Sequence, residues 1–91
     1  MEKEAVLRHI LDTRLTTETL DKIYPPSRAM EEVLLSPEEL TSRHKSVFID
    51  LFELIGSLIE LETGERLSGD ALMIVKTRVE NFLIHRGFHL K

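Results

Sequence analysis

The chain has 91 residues, 12 Lys and Arg against 16 Asp and Glu, a formal net charge of −4 and no cysteine. That balance excludes a polybasic nucleic-acid binder, and the missing cysteines exclude disulfides, thiolate zinc sites and cysteine nucleophiles. A chain of this size buries roughly 60–65% of its unfolded surface, so one thin core is available. We read 1–91 as a single helical domain, with short helices over 1–35 and a long-helix hairpin over 36–91.

Apolar residues recur at spacings of three and four, the helical period, and no Asn-Gly, Asp-Gly or Gly-Gly pair offers a hairpin turn. The first predicted helix covers Lys3 to Arg14, with Val6, Leu7, Ile10 and Leu11 on one stripe. Thr16 or Thr17 is the N-cap of a short second piece carrying Leu20 and Ile23. Pro25-Pro26 stops that piece, because the residue before a proline is pushed out of the α region. Ser27 is the expected cap of a third short helix whose apolar positions are Met30, Val33 and Leu34. Pieces this short are marginal alone and depend on packing.

Ser36-Pro37-Glu38-Glu39 combines a serine N-cap, a proline at the first helical position and a glutamate at the third, the signature of a capping box. From it a stripe of Leu40, His44, Val47, Phe48, Leu51, Leu54, Ile55, Leu58, Ile59 and Leu61 predicts a helix over 37–63, ended at Gly64. Ser68 is the expected cap of a last, antiparallel helix over about 69–86, with Ala71, Leu72, Ile74, Val75, Val79, Phe82 and Leu83 as its apolar face. Gly87 stops it, and Phe88 is placed to fold back near Leu83. The fold class is all-α, a small bundle of four to five helices.

A helix over 37–63 is roughly 40 Å long at 1.5 Å per residue. A compact chain of this length has a radius of gyration of about 12 Å and a diameter near 30 Å. The long helix therefore crosses or overreaches its own globule. Its apolar arc is also broader than the stripe of around 100° that a surface helix needs. Ile49 and Phe52 fall outside the line set by Phe48, Leu51 and Ile55, so two apolar faces call for two neighbours. We assign one to the folded-back N-terminal helices and the other to a second subunit. The expected partner interface is Val47, Phe48, Ile49, Phe52, Leu54, Ile55 and Ile59. The competing arrangement wraps the helix entirely in its own chain.

The polar residues give no catalytic, cofactor or metal site. His85 and His89 have the i, i+4 spacing of a metal pair, but Gly87 breaks the helix between them and no third ligand follows. Asp50, Glu53, Glu60, Glu62 and Glu65 form an acidic run with no Lys or Arg between Lys45 and Arg66, read as a solvated face or a docking strip for a basic partner. Lys76, Arg78, Arg86 and Lys91 give the C-terminal part a basic excess. The four glycines are isolated and make no phosphate loop. Gly56, in mid-helix, costs about 1 kcal/mol relative to alanine and marks a close helix approach. No apolar stretch reaches the length of a secretory leader or a membrane span, and the expected location is cytoplasmic.

Leu67-Ser68-Gly69-Asp70-Ala71-Leu72, followed by Val79, Phe82 and Leu83, resembles the start of the central helix in histone-fold proteins of the centromere protein X type. Glu53-Leu54-Ile55 with Leu58, Ile59 and Leu61 is similar to their first helix. The resemblance spans about 30 of the 91 residues and implies a histone-fold heterodimer that contacts DNA. The sequence thus supports two expectations. The first is a non-enzymatic protein–protein interaction or regulatory module, dimeric through the long helix, with no small-molecule substrate. The alternative is a histone-fold-like, DNA-associated subunit of a heterodimer.

Overall fold

The structure, a computed structural model, describes residues 3–90. Helices α1 (Lys3–Arg14), α2 (Thr17–Ile23), α3 (Pro26–Glu31), α4 (Pro37–Thr63) and α5 (Gly69–Ile84) follow in order, with a 3-10 turn over Glu32–Leu34 between α3 and α4. The all-α expectation holds, with one long helix of 27 residues.

The start of α4 forms as its sequence dictates. Ser36 Oγ accepts from the Glu39 amide, and the Glu39 carboxylate accepts from the Ser36 amide, with Pro37 locking the first turn. At the other end Gly64 takes φ 73°, and its N–H donates to the Glu60 carbonyl, the left-handed stop of an αL cap. α5 ends at Ile84, two residues before its expected limit. The Gly87 amide donates to the Ile84 carbonyl and the Phe88 amide to the Leu83 carbonyl, which closes a Schellman motif and seats Phe88 in the core. Ser68 precedes α5 as expected but its side chain caps nothing: Gly69 enters the helix at φ 56° and carries the backbone past the serine hydroxyl.

Two ion pairs fix the helix directions. Lys3 meets Glu65 at the far end of α4, and Arg78 donates to Asp12 at 2.6 Å. α1 and α5 therefore run parallel to each other, and both run antiparallel to α4. Both pairs are exposed and contribute little to stability. The binding force is apolar. Leu7, Ile10 and Leu11 from α1 and Leu20 from α2 meet Val47, Leu51, Ile55 and Ile59 of α4. Val75, Val79 and Leu83 of α5 close the core with Phe88. The result is a long half-bundle of 48 × 24 × 19 Å with a radius of gyration of 14.0 Å, against about 12 Å for a compact chain of this length.

The third short helix departs from expectation. Its N-cap is Pro25, with Pro26 at the first position, so Ser27 lies one residue inside it. Met30, Val33 and Leu34 do not face the core: they are 75%, 83% and 87% exposed. The residues turned inward are Ala29, Glu32 and Leu35. Their spacing of three is the period of the 3-10 turn that follows α3, and Glu32 is drawn in by His44.

Candidate interaction surface

α4 carries a buried polar cluster at its N-terminal half and a half-exposed large apolar side chain, Ile49, at its middle. His44 sits on the apolar stripe one turn before Val47 and is 5% exposed. Its Nδ1 accepts from the His89 backbone N–H at 2.8 Å, so the ring proton is on Nε2, which donates to Glu32 Oε1 at 2.9 Å. Glu32 Oε2 is buried with no donor among the described residues. Phe88 lies against His44 and Tyr24, with ring centroids 4.5 Å and 5.0 Å away, and the His89 ring stacks on His44. Burial, and next the Glu32 carboxylate beside it, push the Tyr24 phenol well above its ordinary range, while Arg43 and Arg28 pull weakly the other way.

A His–Glu pair has the outline of an acid–base dyad, but its chemistry is closed. One ring nitrogen holds a main-chain amide and the other holds the carboxylate, which leaves no lone pair or proton to offer a substrate. The pair instead ties the C-terminal tail and the 3-10 turn to α4. Sequence reasoning placed His44 on the buried stripe without finding this cluster. A histidine at a core position was the available signal, since a buried imidazole needs partners.

The expected interface divides in two. Val47, Ile55 and Ile59 belong to the chain's own core at 3% exposure or less. α1 and α5 fill that arc, so these three cannot reach a partner without unfolding. Phe48, Phe52 and Leu54 are half-buried, and Ile49 is 51% exposed. Phe48 and Phe52 stack with centroids 5.8 Å apart. The reachable remainder is Ile49, on the side of α4 away from Leu51; Phe48 and Phe52 pack against the core and offer only their outer edges. The acidic residues Asp50, Glu53, Glu60, Glu62 and Glu65 are all exposed.

Gly56 is half-buried and faces Leu67 of the connection between α4 and α5. A methyl group built there meets only Leu67 Cδ1, at an ordinary 3.5 Å. The glycine is not required by any contact within the chain.

Of the basic residues in the C-terminal part, Lys76 is exposed and two others have partners within the chain. Arg78 holds Asp12, and the Arg86 guanidinium lies 3.7 Å over the Phe82 ring; Lys91 lies outside the described residues. The segment that resembles a histone central helix is the 16-residue α5, the shorter arm of the hairpin. Among the described residues no cluster of three metal-ligating side chains occurs, and no helix is long and apolar enough to cross a membrane.

Compared with known proteins, the chain matches no protein family, no curated protein and no solved structure.

Proposed function

We propose that this chain is a non-enzymatic, cytoplasmic protein–protein interaction module that dimerises through α4. The observation that supports the reading is Ile49, a large apolar side chain half-exposed at the middle of the longest helix, beside the outer edges of the partly buried Phe48–Phe52 stack. The surface area supports it. The chain exposes 6370 Å², whereas a folded monomer of its mass exposes about 5400 Å². The elongated half-bundle carries a surplus of about 970 Å² over its whole surface, more than the ~800 Å² that each partner contributes to a standard interface.

The test substitutes Ile49→Glu. Ile49 is exposed enough that a glutamate leaves the monomer folded. Light scattering should show the wild-type chain near twice 10.5 kDa and the Ile49→Glu chain near the monomer mass, with helical circular dichroism unchanged. A wild type that stays at monomer mass, or an Ile49→Glu chain that still dimerises with wild-type affinity, overturns the reading.

A further inference from the structure

The bond that ties the C-terminal tail to α4 exists in one protonation state only. His44 Nδ1 accepts from the His89 amide at 2.8 Å, and Nε2 donates to Glu32 Oε1 at 2.9 Å. A neutral imidazole has one ring lone pair, which the amide occupies; an imidazolium has none. A second proton on His44 points an N–H at an N–H and leaves both donors without an acceptor. The side chains that this bond holds down are Phe88, seated against the His44 and Tyr24 rings, and Leu90, packed on the core.

Once the tail is lifted, the added proton is well placed. The bond from Nε2 to Glu32 becomes charge-assisted, and water reaches Nδ1 where the amide stood. The titratable and charged groups around the ring are the Glu32 carboxylate from the 3-10 turn, the Tyr24 phenol from α2 and the His89 imidazole from the tail. Arg43 adjoins it on α4 and lies 3.6 Å from Glu31 of α3, while Arg28 of α3 donates to the Ile23 carbonyl. Glu32 favours the imidazolium by direct contact. Arg43 opposes it and is offset by Glu31. A proton on the stacked His89 ring repels one on His44 and so also drives the tail from α4. The released form therefore holds one more proton than the docked form, and acid favours it by up to about tenfold per pH unit. We infer that His44 is a pH-sensitive latch: a second proton on its ring frees the Phe88–Leu90 segment and uncovers the seat of Phe88, while the core of α1, α4 and α5 stays folded. That core starts about two turns beyond His44, at Leu51. The latch needs no second copy and stands apart from the dimer proposed above.

The test is an NMR titration of the full chain from about pH 8 to about pH 4.5. The His44 ring should gain its second proton at the same midpoint at which the His89 amide loses its hydrogen-bonded shift and residues 88–90 become mobile. The amides of Leu51, Ile55 and Val79 should not move. Glu32→Gln keeps an oxygen for Nε2 but not the charge, and should lower the midpoint by about one pH unit. His44→Asn sets a non-titrating oxygen close to the place of Nδ1, so its tail should stay docked in acid. His89→Gln keeps the amide and loses the ring, and should still release. A His44 ring that is doubly protonated with the His89 amide still bonded overturns the latch, as does a tail docked at the lowest pH. Core amides that melt together with the tail, or release in His44→Asn at the wild-type midpoint, overturn it equally.

Discussion

Gly56→Ala should stabilise the folded chain, and the structure sets the magnitude. Within the monomer, the added methyl meets Leu67 Cδ1 at 3.5 Å and nothing else. No clash opposes the gain in helix propensity, which is about 1 kcal/mol for glycine to alanine in a helix interior. Unfolding entropy near 2.1 cal/mol/K per residue makes that a rise in Tm of about 5 °C for a chain this long. The gain is best read in the Ile49→Glu background, where association does not contribute, by thermal circular dichroism of the single and double variants. A lower Tm for the double variant would refute the reasoning, since Gly56 would then be needed inside the monomer after all.

Three further predictions concern the monomer. His44→Leu strands the buried Glu32 carboxylate and the His89 amide, and should cost about 1–3 kcal/mol in urea unfolding; adding Glu32→Leu should recover part of that loss, and a double variant weaker than the single would contradict the cluster as drawn. Tyr24 is the only tyrosine, so its phenolate absorbance is unambiguous. Its pKa is raised in the fold by burial and Glu32, so the folded chain keeps a proton that the unfolded chain loses above about pH 10. Stability is therefore intact below that pH and falls above it, more steeply than in Tyr24→Phe; a folded-state phenol titrating at its ordinary value would contradict this. Leu51→Ala empties a fully buried site between α1 and α5 and should cost about 3–5 kcal/mol, with a loss under 1 kcal/mol counting against the packing described.

The parts of the fold legible in the sequence are those governed by contacts three to five residues apart. Ser36, Pro37 and Glu39 determine the start of α4 among themselves, Gly64 ends it, and Phe88 folds back over Gly87 to Leu83, all through local hydrogen bonds. What was not legible depends on residues distant in the chain. Periodicity marks Val47, Ile55, Ile59 and Ile49 alike as apolar positions of α4. Only the packing of α1, from some forty residues upstream, and of α5 decides that the first three are core and leaves Ile49 outside. Likewise Met30, Val33 and Leu34 read as an inward face until Glu32 is seen to bond His44, twelve residues on. That one polar contact turns the short segment so that its larger apolar side chains face outward. The His44 cluster joins residues 24, 32, 44, 88 and 89, and no local pattern announces it.

The central claim is that α4 is completed by a second copy of this chain. It is tested most directly by sedimentation equilibrium of the unmodified protein across a wide concentration range. The account predicts a mass that rises from 10.5 kDa in dilute solution to a plateau at twice that value, with no higher species. A mass that stays at the monomer value throughout would contradict it.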